Sequence, residues 1–500
     1  MAHDAASVPA SVPAAPSPFE VYVHVPFCLR RCGYCDFNTY TAPDLGEGAS
    51  RGNYARMAVR EMELVRAWQE ERGLDEPPAC SVFFGGGTPT ILPADDLVEM
   101  LDAVRRIWGL QPGAEVTTEA NPDTVDADYI KRLADGGFTR ISFGMQSAVP
   151  SVLRTLDRRH TPANVEAGVR AADACGLRSS VDLIYGAPGE SLEDWRTSVR
   201  AAVDLGVNHI SAYALTIAPR TKMGRMIAAG RLPKPSDDDE AAKYEIADEL
   251  LSAAGLQWYE ISNWARPGYE SRHNLGYWRN VDWAGIGPGA HSHYRLSGGV
   301  AVADDSSARL SDVFPGDTGA LGLAQGPSEG FRKTGAASDS RDSSSVPAAD
   351  APIDPASVGL RSWDVAHPRA WAHDLNAGRV PWAGSEGITP AEDAEETLML
   401  GLRLHEGFDT SRFAGIIPRS AWEDLQSEGL LTLVNPTEPA CDSLHGLSVC
   451  DILHESDHGI SRESACGNSV MRSTAPIAVP TLRGRLLNDL IIERLYDYLP

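Results

Sequence analysis

The chain has 500 residues, 43% of them hydrophobic and 23% charged, with a net charge of −25. That length supports two or three domains with real cores. The charge repels phosphate backbones and argues against nucleic acid as a partner. No apolar run reaches about 18 residues, so no membrane span is expected.

Residues 1–18 are rich in Ala, Pro and Ser and lack the basic start and apolar core of a signal peptide; they read as a disordered tail. Next comes a short strand, Phe19–Val25, leading into CLRRCGYC, where Cys28, Cys32 and Cys35 are spaced C-x3-C-x2-C. Cysteine thiolates are the usual ligands of iron–sulfur clusters, and a [4Fe–4S] cube takes four. Three would leave one iron open to a ligand that is not cysteine. Zinc is the alternative, although it usually takes four ligands and no fourth lies nearby. Eight cysteines in so long a chain, three of them in one motif, fit a reducing cytoplasm better than a disulfide framework.

Strand and helix patterns then alternate. Helices are expected at 53–71, 94–107, 126–134, 163–175 and 192–205, and strands at 80–84, 114–120, 138–144, 178–186 and 209–215. Six strands alternating with helices predict an α/β fold with a parallel sheet, whose ligands gather at the strands' carboxyl ends. Gly85, Gly86, Gly87 and Thr88 follow the second strand, where glycine lets a ligand approach the backbone, or simply makes a tight turn. Glu119 ends the third strand. Its carboxylate could hold ribose hydroxyls or an ammonium group, or cap a helix. Gln146 ends the fourth strand, Asp182 lies in the fifth and Ala214 in the sixth.

The motifs YVHVPFCLRRCGYCDF, FFGGGTPT, EANPD, RISFGMQS, DLIYGAPGES and HNLGYW together resemble the oxygen-independent coproporphyrinogen III oxidase family of the radical S-adenosylmethionine (SAM) superfamily. The resemblance covers most of residues 19–295 and resumes near residue 390. It implies a partial (β/α)6 barrel and a small C-terminal helical, winged-helix-like domain. In that family SAM chelates the open iron, and cluster reduction cleaves it to a 5′-deoxyadenosyl radical. By resemblance Cys28, Cys32 and Cys35 hold the cluster. Tyr22, Tyr34, Gly86, Gly87, Thr88, Glu119, Gln146, Arg158, Asp182, Ala214 and His291 match SAM-contacting positions, His291 with a residue type that differs from the oxidase.

One departure is informative. The oxidase has a fourth cysteine two residues after the third; here that residue is Phe37, which neither ligates metal nor exchanges protons. This resembles the sister group of HemW-type haem chaperones, which keep the cluster and SAM but deliver haem. SAM cleavage is expected, and oxidative decarboxylation of coproporphyrinogen III to protoporphyrinogen IX is the alternative that Phe37 argues against. The implied partners are haem, haem-accepting apo-proteins and a reductant such as flavodoxin or ferredoxin. His273, Asn274, Tyr277 and Trp278 match the group's H-N-x-x-Y-W motif, implicated in haem binding. A neutral histidine can ligate haem iron and aromatic rings can stack on a macrocycle; equally, His273 and the nearby tryptophans could be packed core residues.

The rest reads as a helix at 243–254, a strand GLQWYEISNWA, a haem-motif loop, and a further loop AGIGPGAHSHY. The catalytic domain is expected over 19–299 and 358–388, interrupted by a disordered insertion at 300–357. The C-terminal domain is expected over 389–500, opening on a capping box at Thr389 and Glu392, with a second insertion at 435–478. Cys441, Cys450, His454, His458 and Cys466 lie in that insertion. Zinc there is the minor reading, given its polar, irregular composition. Cys80 and Cys175 are expected to be buried small apolar residues.

Overall fold

Six parallel strands stand side by side in chain order: β1 (Phe19–Val25), β2 (Ala79–Gly86), β3 (Leu110–Ala120), β4 (Arg140–Gln146), β5 (Arg178–Tyr185) and β6 (His209–Ala214). The coordinates are a computed structural model and describe residues 17–296, 348–435 and 475–499. Nearly all of the expected tail, most of both expected insertions, and Cys441, Cys450, His454, His458 and Cys466 lie outside the described residues.

Helices connect the strands where their signals predict. Thr161 and Ser191 form capping boxes with Asn164 and Asp194, and Asp126 caps its helix by accepting from Tyr129 N. At one edge, β7 (Gln257–Glu260) and β8 (Asn263–Ala265) form a hairpin whose second strand pairs antiparallel to β6. At the other, β9 (Asp282–Ile286) runs parallel to β1 and continues through antiparallel β10 (His291–Arg295), β11 (Gly359–Asp364) and β12 (Trp382–Ile388). The strand order is linear, so the barrel is partial, as expected.

Strands in fully covered parallel sheets usually read as continuous apolar runs. These do not. In β1, Val21 and Val23 join the helix-packed core, while Glu20, Tyr22 and His24 alternate with them. Ser81, Glu115, Arg140, Ser142, Ser180, Asp182 and His209 continue the polar set, with Glu115 paired to Arg140 and Ser142 bonded to Asp182 and Ser180. One face of the sheet is therefore a polar lumen and the other the apolar core.

Several expectations are corrected. HNLGYW is not a loop but the helix Arg272–Trp278, because Ser271 Oγ accepts from Asn274 N and the Glu115 carboxylate accepts Arg272 N. GLQWYEISNWA breaks into a hairpin at Ile261–Ser262. AGIGPGAHSHY is the β9–β10 hairpin, with Gly287 and Gly289 at φ +104° and +78°. The helix expected at 243–254 begins at Asp237, whose four acids suit a helix N-terminus. Two short helices, Pro150–Thr155 and Lys222–Ala228, carry too little periodicity to predict. Cys80 and Cys175 are half-buried rather than buried.

C-terminal to the sheet, β13 (Phe408–Asp409), β14 (Leu431–Val434) and β15 (Ile477–Pro480) form a small antiparallel sheet. It surrounds its own core of Leu398, Phe413, Trp422, Ile491 and Leu495 with the flanking helices. Thr389 and Glu392 form the expected capping box. Arg485 locks this unit to the barrel, bidentate to Asp248 at 2.8 and 3.0 Å and stacked 4.4 Å from Trp258. No described helix is long and apolar enough to cross a membrane.

The lumen is closed on one side by the helix Arg272–Trp278. Gly276 faces Glu20 of β1 so closely that a Cβ would run into the carboxylate. Gly276→Ala should therefore cost about 1–3 kcal/mol, seen as a lower thermal midpoint by circular dichroism. An unchanged midpoint would contradict this packing.

Candidate cofactor site at the barrel mouth

The cysteine loop leaves the carboxyl end of β1 and is pinned at its base. Cys28 N donates to Tyr40 O at 2.9 Å, and Tyr40 N to Pro26 O at 2.7 Å. Cys28, Cys32 and Cys35 are free thiols. Burial raises the pKa values of Cys28 and Cys35, and the neighbouring thiols of the triad add to the rise. Thr88 Oγ1 donates to Cys28 Sγ at 3.5 Å. Arg158 reaches Cys32 Sγ at 3.6 Å while donating to Gly144 O at 2.8 Å and Asn121 Oδ1 at 3.2 Å. Phe37 is 62% exposed.

This donor set suits a thiolate-ligated cluster. Three soft ligands share one loop, and a guanidinium and a hydroxyl are aimed at their sulfurs. Among the described residues, no three His, Cys, Asp or Glu side chains are gathered as one metal ion requires. Thr39, which sequence reasoning missed, is 5% exposed and lies beside the Cys28 and Cys35 thiols, yet its hydroxyl makes no formed hydrogen bond. Only its place two residues past Phe37 could have signalled it.

The expected SAM-contacting residues cluster at this end of the lumen. Glu119 is half-buried, and burial, then the Asp182 charge, pushes its carboxyl up to about 8; it accepts from Gly86 N at 3.2 Å. Asp182, also raised by burial, accepts from Ser142 Oγ at 3.0 and 2.9 Å. Gln146 closes β4 at φ +62°, a conformation uncommon outside glycine that marks strain, and its Oε1 is buried without a partner. Tyr34 packs with Val152, Leu156 and Met223 near Cys32 and Arg158. Ala214 ends β6, exposed. His291 opens β10, within electrostatic reach of His24.

The glycines have a reason of their own. A Cβ on Gly86 would meet His24 at 2.6 Å, and one on Gly87 would meet Phe27 O at 2.6 Å, so the strand end must hug β1 before any ligand is considered. His24 is a second residue missed. Its Nδ1 lies 3.1 Å from Tyr22 OH and its Nε2 3.0 Å from Asn38 O. A backbone carbonyl only accepts, so Nε2 carries the proton and Nδ1 accepts from the phenol. The alternation Tyr22-Val23-His24 was its signal.

The haem-motif residues sit elsewhere. His273 lies beside Glu20 and Ser81, near the start of β1 and β2, whereas the cysteine loop follows the end of β1. It is 1% exposed, its Nδ1 2.7 Å from Ser81 Oγ and its Nε2 3.0 Å from Tyr277 OH. Phe83 stacks on it at 5.1 Å. Both ring nitrogens are occupied, so in this conformation it is no open ligand. The Glu20 carboxylate at 3.4 Å has ion-pair geometry, but burial drives His273 down to about 3 and Glu20 well up, so the pair is neutral. Asn274, Tyr277 and Trp278 are half-buried; Tyr277 meets Trp283 edge-on, and Arg403 lies over Trp278 at 5.6 Å.

Residues 22–202 match the Radical SAM superfamily and residues 388–435 the HemN C-terminal domain. The protein named Heme chaperone HemW from Mycobacterium tuberculosis is 39% identical over 425 residues, covering 85% of this chain and 91% of the relative. The chain belongs to the HemW family. As a radical SAM protein it takes a [4Fe–4S] cluster and SAM as cofactors. The Escherichia coli K12 member is 39% identical over 276 residues, covering 55% of this chain and 70% of its own. The solved structure of E. coli coproporphyrinogen III oxidase (HemN), described as a radical SAM enzyme, aligns over 97% of this chain and 91% of its own, with TM-score 0.64 and 16% identity. At that identity the family shares a fold with it.

His273 gives a pH prediction. Its folded pKa is depressed, so the unfolded chain takes up a proton first as pH falls. Its contribution is complete above about 6.5 and is lost below, at about 1.4 kcal/mol per pH unit. Glu20, raised by burial, works in the opposite sense, so the quantity to measure is the wild-type stability minus that of His273→Gln. Chemical denaturation at pH 7 and pH 5 should show this difference shrinking toward pH 5. A difference independent of pH would mean the ring titrates alike in the folded and unfolded chain, and one that grows toward pH 5 would mean the buried ring is held charged.

Proposed function

We propose that the chain is a haem chaperone that holds a [4Fe–4S] cluster on Cys28, Cys32 and Cys35. SAM sits on the mouth residues Tyr22 to His291 named above, and haem sits against the helix Arg272–Trp278. The haem goes to haem-accepting apo-proteins, and a partner such as flavodoxin or ferredoxin supplies electrons. The observation that carries this reading is three free thiols on one loop, with Phe37 exposed where a fourth cysteine would stand. The relatives named Heme chaperone HemW support haem as cargo. Five free cysteines among the described residues suit a cytoplasmic setting.

When bound and reduced, the cluster and SAM supply one-electron chemistry. The chain's own residues do the rest. Arg158 places a positive charge beside Cys32, where it would offset the charge of a bound cluster. Glu119, with a pKa near 8, is mostly protonated at neutral pH and can donate a hydrogen bond. The fixed tautomer of His24 holds the Tyr22 phenol in place. His273 orders the haem-motif helix from within, leaving the half-buried Asn274, Tyr277 and Trp278 to face a macrocycle. The β11–β12 pair in the barrel sheet supports assigning 358–388 to the catalytic domain, and the separate core around Leu398 and Trp422 supports a C-terminal domain from 389.

Haem titration separates the roles. Trp278→Ala should weaken haem uptake roughly tenfold with little change in thermal midpoint, whereas His273→Ala should lower the midpoint by several degrees, a cost of about 3 kcal/mol for a buried, bonded ring. Equal haem uptake by both variants and wild type would remove the helix from the haem site. Thr39→Val should make the cluster potential more negative by removing a hydroxyl dipole beside the Cys28 and Cys35 sulfurs, and Thr39→Ser should restore it. Identical potentials in EPR-monitored titrations would leave Thr39 a packing residue.

A further inference from the structure

Three segments meet around the cysteine loop: 28–37, 150–160 and 219–234. Met223 N donates to Gly33 O at 2.8 Å, Lys222 Nζ meets Asp157 Oδ2 at 2.7 Å, and Tyr34 packs on Val152 and Met223. Together these segments carry ten cationic residues and two acidic ones, in a chain with 44 Lys and Arg against 69 Asp and Glu. Lys222 already neutralises Asp157. The run from Pro219 to Lys234 has five cations and no acid; acids resume only at Asp237. The rim thus reverses the sign of the whole molecule.

The same rim is apolar at its centre. Leu29 and Phe37 are 63% and 62% exposed, the highest values among the large apolar side chains of the described residues. Leu29 adjoins Cys28, Phe37 lies two residues past Cys35, and the exposed Arg30 and Arg31 lie between Cys28 and Cys32. Two residues of chain span about 7 Å at most, so this surface stands directly over the thiols. Arg31 Nη2 donates to Phe37 O at 3.1 Å, joining the two sides. An apolar pair flanked by predominantly positive segments is the anatomy of a transient, electrostatically steered interface.

We propose that this face docks a small acidic one-electron carrier, a flavin or iron–sulfur protein, that reduces the cluster. The proposal rests on the cluster reading above. One electron leaves the carrier's reduced cofactor and enters the [4Fe–4S] centre, with no group transferred. A haem acceptor has less reason to bind here, because the haem-motif helix lies at the other end of the lumen. A redox partner has the most reason, because electron transfer weakens steeply with distance and the exposed Leu29 and Phe37 lie within two residues of Cys28 and Cys35.

The test uses the full chain with its cluster reconstituted and reduced flavodoxin as the probe, following loss of cluster absorbance in stopped flow. Wild-type reduction should slow as salt rises. Arg30→Glu combined with Arg225→Glu should slow it about tenfold and flatten the salt dependence, and Leu29→Ser should slow it at all salt concentrations. Photoreduction by a small neutral deazaflavin, which needs no docking face, should proceed at one rate in every variant. Flavodoxin rates equal to wild type in the charge-reversed variant would overturn the proposal. So would unchanged flavodoxin rates together with lost binding to vesicles of phosphatidylserine, which would make the rim a membrane contact. Failure of wild type to assemble a cluster would instead sink the cluster reading itself, and is seen before any carrier is added.

Discussion

Everything else in this fold depends on one constraint: the inner face of the parallel strands is polar and must be covered without leaving its charges unmatched. Glu20, Ser81, Glu115, Arg140 and His209 all point to that face and are almost fully removed from water. Unpaired burial of such groups costs several kcal/mol each. The helix Arg272–Trp278 meets the requirement at one end. Glu115 takes its first amide, Ser81 and Tyr277 take both nitrogens of His273, and Gly276 lets it lie against Glu20. A motif associated with haem is thus also the plug of the barrel, so damage to it reads out as lost haem and as lost fold together.

The other end of the lumen is left for ligands. There the buried groups are not fully matched within the protein: Gln146 Oε1 and Thr39 Oγ1 have no partner, and Glu119 and Asp182 are pushed toward their neutral forms. Raised carboxyls, a buried unpartnered amide oxygen and a strained backbone at Gln146 coincide at the carboxyl ends of the strands, as expected where a ligand is to be held.

Much of this was legible in the sequence, and the exceptions have physical causes. Strong periodicity and capping residues located most of the long helices to within a residue or two, as for Ala94–Ile107 and the Thr389 box, although the helix Asp237–Ala253 starts six residues before its expected range. The helix Arg272–Trp278 was missed because it is only seven residues long and, beyond its Ser271 cap, is held from afar by Glu115 on β3, across 157 residues. His273 looked like a metal ligand because residue type does not reveal that Ser81 and Tyr277 already hold both nitrogens. Thr39 and His24 carry no motif, and only tertiary contact gives them a role. The cysteine triad could be read directly because its chemistry is local to eight residues.

The central claim is that three cysteines leave one iron of a cube open to SAM. EPR of the anaerobically reconstituted, reduced protein, recorded with and without SAM, tests it most directly. The account predicts a [4Fe–4S]1+ signal whose g-values shift when SAM is added, and no such signal from Cys35→Ala. A cluster signal indifferent to SAM, or protein without cluster iron and sulfide after reconstitution, would contradict it.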